Sequence, residues 1–247
     1  MTGTSDTGKR VVISGGTSGI GYACAARFAD RGWRVWVLGS RHATVAAALE
    51  RIPALAGGSA CDVANEEAVE RAIAEAGSAL GGLDAGFVNA GIDGEGKSFT
   101  ELGAGHFRRV LEVNVLGAFL VAREALKMME DGSAIVFNAS VNAVRPERGF
   151  ADYNTSKAAV ASLAQSMALD VAERRIAVTA ICPGYVRTRM TEPYLDEPGV
   201  AGPLLAQIPA RRFGSPDDVA ALVEFLVAGE ADYMTGAVIT VDGGRHV

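Results

Sequence analysis

The chain has 247 residues, of which 49% are hydrophobic and 21% charged, and this composition predicts one globular domain with a sizeable core. Its net charge of −6 and its 6% aromatic content argue against nucleic-acid binding. The few cysteines and histidines lack metal-ligand spacing, and no apolar run reaches the roughly 18 residues that span a bilayer, so we predict no metal site and no membrane partner. The scattered cysteines and the polar stretch 1–9 predict a cytoplasmic protein with reduced thiols.

Short β-type runs alternate with longer helical patterns along the chain. We predict strands at Arg10–Ile13, Arg34–Leu38, Ser59–Cys61, Ala85–Asn89, Ala134–Asn138, Ala177–Ile181 and Ala237–Val241. Helical patterns lie near Ile20–Arg31, Glu66–Leu80, Gly105–Met129, Asp152–Glu173 and Pro216–Ala228. Most of the strands are apolar throughout, as strands covered on both faces are. The alternation therefore predicts an α/β fold with a doubly wound parallel β-sheet of about seven strands flanked by helices.

A glycine-rich stretch, Ser14-Gly-Gly-Thr-Ser-Gly-Ile-Gly21, joins the first predicted strand to the first helical pattern. Glycine removes the side chain where a backbone must approach a ligand, and it tolerates the dihedral angles of a tight turn. The helix that follows presents unpaired N–H groups and a partial positive charge at its first turn. This arrangement predicts a seat for the pyrophosphate of a dinucleotide.

Tyr153 and Lys157 are four residues apart in a helical pattern, which places them on one helix face about one turn apart. A free tyrosine has a pKa of about 10 and is a poor acid or base at neutral pH, but a nearby ammonium group lowers that pKa. A tyrosine tuned in this way can exchange a proton with a substrate oxygen. The alternative is a half-buried tyrosine beside a solvated lysine.

Three further polar positions have both a functional and a structural interpretation. Ser140 follows a predicted strand at the end where α/β enzymes place catalytic groups, although a serine there can equally cap a helix or form a turn. Asn114 lies inside a long apolar helical pattern, where a buried amide needs hydrogen-bond partners. Asn89 opens the sequence Asn-Ala-Gly at another strand end, which by itself predicts a turn.

The segment from residue 188 to residue 213 is the most irregular part of the chain. It contains Pro193, Pro198, Pro203 and Pro209 and begins soon after a predicted strand ends. Unstructured loops of this length are uncommon in compact domains and are often lids or binding loops. We predict a substrate lid here, and the alternative is a surface loop with no role in binding.

In combination these motifs resemble the short-chain dehydrogenase/reductase family, in its single-domain branch, with the greatest similarity to 3-oxoacyl-carrier-protein reductases and related secondary-alcohol dehydrogenases. The glycine stretch resembles the family's Thr-Gly-x-x-x-Gly-Ile-Gly loop, with Ser14 in place of threonine. Asn89-Ala-Gly91 resembles its Asn-Asn-Ala-Gly turn, with Val88 in the first place. Residues 208–219 and 235–244 resemble its C-terminal region. The resemblance covers essentially the whole chain and implies a single Rossmann-type NAD(P)-binding domain over residues 1–247.

The family's catalytic residues fall on Asn114, Ser140, Tyr153 and Lys157. The resemblance implies that Tyr153 exchanges the proton with a substrate oxygen that Ser140 holds. It also implies that Lys157 lowers the Tyr153 pKa and binds the nicotinamide ribose, and that Asn114 holds a water linking Lys157 to solvent. The implied cofactor contacts are Gly15, Thr17, Ser18, Gly19, Ile20, Gly21, Asp62, Val63, Asn89, Ala90, Gly91, Tyr153, Lys157, Pro183, Gly184, Val186 and Thr188. Relatives of this kind imply a homotetramer.

The end of the second predicted strand bears on the choice of cofactor. The strand ends in Gly39-Ser-Arg-His42, which contains no acid to bind the ribose 2′-hydroxyl of NAD. Ser40 can donate a hydrogen bond, and Arg41 can pair with a 2′-phosphate. We therefore predict NADP(H), with NAD(H) as the alternative.

The substrate site is expected to contain Ser140, Asn142, Val144, Arg148, Phe150, Tyr153, Met190, Tyr194 and Leu195. Among these, Asn142 and Arg148 favour a polar or anionic substrate, although Arg148 can instead be an exposed charge paired with Glu147 or Asp152. The resemblance implies an NADP(H)-dependent oxidoreductase acting on a small carbonyl compound or secondary alcohol. The alternatives are an NAD-dependent alcohol dehydrogenase, and a dinucleotide sensor or scaffold subunit without turnover.

Overall fold

A computed structural model describes residues 8–197 and 199–247, so the polar stretch 1–7 and Pro198 of the irregular segment lie outside the described residues. Parallel strands form one sheet in the order β3-β2-β1-β4-β5-β6-β7. They are β1 (Arg10–Ser14), β2 (Arg34–Gly39), β3 (Gly57–Ala60), β4 (Leu83–Val88), β5 (Met129–Asn138), β6 (Ala177–Pro183) and β7 (Val238–Val241). Strands β2 and β3 are added on one side of β1 and strands β4 to β7 on the other, so the switch point of the sheet lies between β1 and β4. The predicted doubly wound Rossmann-type sheet of seven strands is therefore confirmed.

Helices cover both faces of this sheet. They are α1 (Gly19–Asp30), α2 (His42–Arg51), α3 (Glu66–Leu80), α4 (Ala104–Leu111), α5 (Gly117–Lys127), α6 (Ala151–Asp170), α7 (Glu192–Leu195), α8 (Ala201–Ala206) and α9 (Pro216–Val227). Successive strand residues face opposite sides. Val12 packs on one face in a core with α3, α5 and α6, while Val11 and Ile13 pack on the other in a core with α1 and α9. Within the described residues, no helix is long and apolar enough to cross a membrane.

The helices depart from the predicted pattern in four places. Helix α2, whose buried residues are Val45 and Ala48, was not predicted from the sequence. The predicted helix Gly105–Met129 is α4, a π-helical turn at Glu112–Leu116, and α5. It stops before Met129 because that residue begins β5, where it pairs with Leu83 of β4. The predicted helix Asp152–Glu173 ends at Asp170, and the irregular segment contains the short helices α7 and α8.

Candidate active site

The glycine-rich turn connects β1 to α1 at the carboxyl edge of the sheet. Gly19 has a φ of +54°, which side-chain-bearing residues rarely adopt. A Cβ atom on Gly21 would lie 2.3 Å from the carbonyl oxygen of Gly15, so only glycine fits there. Among the described residues, no side chain caps α1 and no acid lies in its first turn. The positive end of the helix is therefore available to an anion.

Hydrogen bonds join the strand ends around the switch point between β1 and β4. The Ser14 hydroxyl accepts from the backbone N–H groups of Asn89 at 2.9 Å and Ala90 at 3.1 Å. The Asn89 amide donates to the carbonyl oxygens of Ser14 at 3.0 Å and Gly15 at 3.2 Å. Its oxygen accepts from the Asn138 amide at 2.8 Å, which brings in the end of β5. These bonds hold the edges of three strands together beneath the glycine turn.

Lys157 lies in α6 beside these hydrogen-bonded strand ends, and 5% of its surface is exposed. Its ammonium group donates to the carbonyl oxygen of Asn138 at 2.8 Å and lies 5.6 Å from the centre of the Tyr153 ring. Burial lowers the pKa of Lys157 to about 8, because the charged form loses hydration. The lysine is thus still charged at neutral pH, although less firmly than a surface lysine.

The electrostatic surroundings of Tyr153 differ from the sequence-based expectation. Burial, and then the negative charge of Asp93, raise the pKa of Tyr153 above its usual value, and a hydrogen bond with Ser140 opposes this only in part. The expected lowering of this pKa by Lys157 is not found, because the cost of burying a phenolate is the largest influence on Tyr153. Tyr153 is therefore a protonated phenol at neutral pH, the form that can donate a proton.

Asn114 lies in the π-helical turn between α4 and α5 and is 1% exposed. Its side-chain oxygen accepts from the Ile92 N–H at 2.8 Å, and its amide donates to the Ile92 carbonyl at 2.9 Å and to Ser156 at 3.0 Å. A Cβ atom on Gly91 would lie 3.1 Å from the Asn114 oxygen and 3.6 Å from the Lys157 nitrogen. Asn114 therefore shapes the turn that faces Lys157.

A cavity of about 200 Å³ extends from the glycine turn to Tyr153. Its lining includes most of the predicted cofactor contacts, namely Gly15, Ser18, Gly19, Ile20, Asn89, Ala90, Gly91, Tyr153, Lys157, Pro183, Gly184, Val186 and Thr188. Such a groove, with a glycine cradle and an uncapped helix at one end and a buried lysine at the other, fits the pyrophosphate and the nicotinamide half of a dinucleotide.

The other predicted cofactor contacts lie outside this lining, and they are Thr17, Gly21, Ser40, Arg41, Asp62 and Val63. Gly21 acts through its close packing against Gly15, and Val63 is buried in the core. Ser40 and Arg41 are exposed beyond the end of β2, and Asp62 is exposed beyond β3, 3.6 Å from Arg109. These exposed groups lie at the strand ends on the far side of the glycine turn from Tyr153.

A second cavity, of about 280 Å³, adjoins the first and shares Ser140, Tyr153 and Met190 with it. Its lining also includes the predicted substrate residues Asn142, Phe150 and Tyr194. Three expected residues do not line it: Val144 and Arg148 are exposed, and Leu195 is buried in packing. The amide of Asn142 is already engaged, because it donates to Asn154 at 2.9 Å.

The acidic side chains of this second cavity, Asp93 and Glu147, were not predicted from the sequence. The Glu147 carboxylate accepts from the Tyr185 hydroxyl at 2.5 Å and lies 3.7 Å from the buried guanidinium of Arg245. The Asn154 side chain holds the Glu147 backbone through bonds of 3.2 Å and 2.7 Å. Nothing local in the sequence marks this cluster, because its members come from separate elements.

Asp152, which precedes Tyr153, is fully buried at the start of α6. It accepts from the backbone of Glu95 at 3.1 Å and of Tyr153 at 2.8 Å, and it pairs with His106 of α4 at 2.9 Å. These bonds fasten the chain after β4 to the helix that carries Tyr153. Asp152 is thus not available to Arg148, contrary to one of the predicted pairings. The described residues contain no group of three or more His, Cys, Asp or Glu side chains able to hold a metal ion.

Comparison with known proteins is consistent with this geometry over the whole chain. The family model for enoyl-(acyl carrier protein) reductase matches residues 15–246. Glucose 1-dehydrogenase of Gluconobacter oxydans is 34% identical over 96% of this chain and 91% of its own length, and 3-oxoacyl-[acyl-carrier-protein] reductase of Aquifex aeolicus is 34% identical over 96% and 97%. The crystal structure of 3-ketoacyl-(acyl-carrier-protein) reductase from Brucella melitensis, complexed with NADH, has a TM-score of 0.90 at 30% identity, covering 98% of this chain and 100% of that one.

These relatives are dehydrogenases and reductases, and the likeness in sequence and in fold runs over nearly the whole of each chain. It extends across the glycine turn, the switch point and the segment carrying Tyr153 and Lys157, all of which lie within or directly beside residues 15–246. The chain therefore belongs to the short-chain dehydrogenase/reductase family of NAD(P)-dependent oxidoreductases.

Proposed function

We propose that this protein is an NADP(H)-dependent oxidoreductase that interconverts a small carbonyl compound and its secondary alcohol, with Tyr153 as the proton-exchanging group. The observation that carries the proposal is the position of Tyr153 and Ser140 in the lining of both cavities. A substrate oxygen in the second cavity can approach both hydroxyl groups while the carbon that bears it faces the first cavity. That is the proximity that hydride and proton exchange at one carbonyl requires.

The nicotinamide cofactor supplies or accepts the hydride when it is bound. On the protein side, the first turn of α1 would hold the pyrophosphate, with Gly15 and Gly19 allowing close approach. Lys157 would bond the nicotinamide ribose, and Pro183 and Thr188 would flank the nicotinamide. Each of these residues lines the first cavity.

In the reductive direction, Tyr153 donates its proton to the substrate oxygen as negative charge develops there. The raised pKa of Tyr153 keeps the proton on the phenol until then, and the Lys157 ammonium stabilises the phenolate that remains. The Ser140 hydroxyl donates a hydrogen bond to the same substrate oxygen. Asn114 keeps the turn at Gly91 open beside Lys157, the position from which a water can return a proton.

The preference for NADP(H) is proposed from the groups beyond β2. Ser40 and Arg41 are exposed there, and within the described chain no acidic side chain forms an ion pair with Arg41. An arginine without such a partner can pair with a 2′-phosphate. NAD(H) is the second candidate, because a structural relative is complexed with NADH. Titration with NADPH and with NADH distinguishes the two candidate cofactors. We expect NADPH to bind about tenfold more tightly, a difference of about 1.4 kcal/mol in binding free energy.

Three properties accompany this function. The segment 188–213 is proposed as a substrate lid, since its residues Met190, Tyr194 and Leu204 line the second cavity. A homotetramer is proposed because α5 and α6 expose the apolar side chains of Phe119 and Leu169, which subunit pairing would cover. A cytoplasmic location is proposed from the scattered cysteines, Cys24, Cys61 and Cys182, which are free thiols. A monomeric mass by light scattering would rule out the tetramer.

The deciding experiment compares the wild type with Tyr153→Phe. The wild type should consume NADPH in the presence of a ketone, and the variant should lose about a hundredfold or more in kcat while still binding NADPH. A sensor or scaffold subunit would bind NADPH without turnover, and the substitution would then change nothing.

A further inference from the structure

The charge in the second cavity comes only from carboxylates. Among the described residues that line it, Asp93 and Glu147 are charged and none is a lysine or arginine. Of these two, Glu147 is compensated, because it accepts from Tyr185 at 2.5 Å and lies 3.7 Å from the Arg245 guanidinium. Its charge is therefore partly balanced within the wall of the cavity, and its effect on the pKa of Tyr153 and of Tyr194 is smaller than that of Asp93.

Asp93 forms no comparable ion pair among the described residues. One carboxylate oxygen accepts the backbone N–H of Gly94 at 2.8 Å. No lysine or arginine of the described ranges forms an ion pair with Asp93. The pKa of this carboxyl is raised chiefly by burial, and the ammonium of Lys157 opposes the rise only in part. Its charge acts on both tyrosines of the cavity, because it raises the pKa of Tyr153 and of Tyr194. A partly buried carboxylate that accepts one hydrogen bond retains acceptor capacity for a donor from a ligand.

We propose that Asp93 determines substrate specificity: the enzyme favours carbonyl compounds and alcohols that carry a hydroxyl or ammonium group and disfavours those that carry a carboxylate or phosphate. A donor group on the substrate satisfies the free oxygen of Asp93, whereas an anion in the same cavity meets a like charge at low dielectric. This inference rests on the proposed function, since it concerns the substrate that reacts at Tyr153. It also replaces the expectation of an anionic substrate, which depended on Arg148 lining the cavity.

The test uses four ketones of one skeleton: cyclohexanone with a methyl, hydroxyl, ammonium or carboxylate group at C4. Each is assayed with the purified wild type and NADPH, and with NADH, for kcat/KM. We expect the hydroxyl and ammonium compounds to exceed the carboxylate by about tenfold or more, with the methyl compound between them.

The variant Asp93→Asn removes the charge and keeps an oxygen that can accept the Gly94 N–H. It should reduce the ratio of kcat/KM between the ammonium and carboxylate ketones by about tenfold, while the hydroxyl ketone keeps part of its advantage because the substituted amide still accepts a hydrogen bond. The matched control is Glu95→Gln. It also removes one negative charge, two residues from Asp93, but the Glu95 carboxylate pairs with Lys97 at 2.7 Å. The control should leave the ratio unchanged.

The outcomes separate the two proposals. If the wild type turns over none of the four ketones with either cofactor, the proposed function is refuted and this inference with it. If it turns them over but does not discriminate against the carboxylate, or if Asp93→Asn and Glu95→Gln change the ratio equally, the inference alone is overturned.

Discussion

The buried ammonium of Lys157 predicts that removing it stabilises the folded protein while destroying turnover. Its pKa falls from an ordinary value of 10.5 to about 8 in the folded chain. At about 1.4 kcal/mol per pKa unit, keeping this lysine charged at pH 7 costs the folded state about 3 kcal/mol. Lys157→Met removes that cost but also removes the 2.8 Å hydrogen bond to Asn138, which is worth about 1 kcal/mol. The variant should therefore be more stable by about 2 kcal/mol at pH 7.

The sign of the pH dependence follows from the same values. Between pH 8 and pH 10.5 the unfolded chain holds a proton on Lys157 that the folded chain has lost, so the wild type gains stability as the pH rises through this window. Below pH 8 both states are charged, and the penalty is constant. The advantage of Lys157→Met should thus fall from about 2 kcal/mol at pH 7 to about 1 kcal/mol at pH 9, and should vanish near pH 10.

Urea unfolding followed by circular dichroism measures this difference, with both proteins at one concentration because oligomers unfold in a concentration-dependent way. Lys97→Met is the control: Lys97 is exposed beside Glu95, and its loss should change stability by less than about 0.5 kcal/mol at every pH. A Lys157→Met protein that is less stable than the wild type at pH 7, or whose difference does not change with pH, would refute the reasoning.

Three further predictions concern the stability of the fold, each measured by urea unfolding. Gly21→Ala should lower the free energy of unfolding by about 3 kcal/mol, because the added Cβ would lie 2.3 Å from the carbonyl oxygen of Gly15. The control is Gly105→Ala in α4, where the added Cβ would have no atom within 4 Å, and it should be neutral or stabilising by up to about 1 kcal/mol. Ser14→Ala leaves two backbone N–H groups without their acceptor and should cost about 2 kcal/mol, and a smaller loss would mean that water replaces the hydroxyl. Asp218 accepts the backbone N–H of Ser215, the N-cap residue of α9, and pairs with Arg212, which holds the pKa of Asp218 below its usual range. Asp218→Asn should cost about 1 kcal/mol at pH 7, and this cost should disappear in strong acid, where the wild-type carboxyl is also protonated.

Local sequence was sufficient wherever a function depends on neighbours in the chain. The glycine turn Ser14–Gly21 could be recognised because a strand, a turn and a helix start follow one another directly, and their backbone requirements are local. The pairing of Tyr153 with Lys157 followed from helix geometry alone. The alternation of apolar strands with helical patterns likewise predicted the parallel sheet, since strands covered on both faces are continuously apolar. It did not reveal α2, where Val45 and Ala48 are the only buried residues.

The tertiary structure decided everything that depends on burial and on contacts between distant segments. The pKa values of Lys157 and Tyr153 depend on how far the fold buries these side chains from water. The pKa of Tyr153 is therefore raised, where the sequence predicted that it would be lowered. Arg148 and Glu147 are adjacent in sequence, yet the glutamate lines the substrate cavity and the arginine is exposed. Which of two neighbouring charges enters a cavity depends on how the loop packs against other elements, and a linear pattern does not record that packing. For the same reason the sequence alone indicated an oxidoreductase of this family, while only the fold revealed that Asp93 lines the second cavity without an ion-pair partner among the described residues.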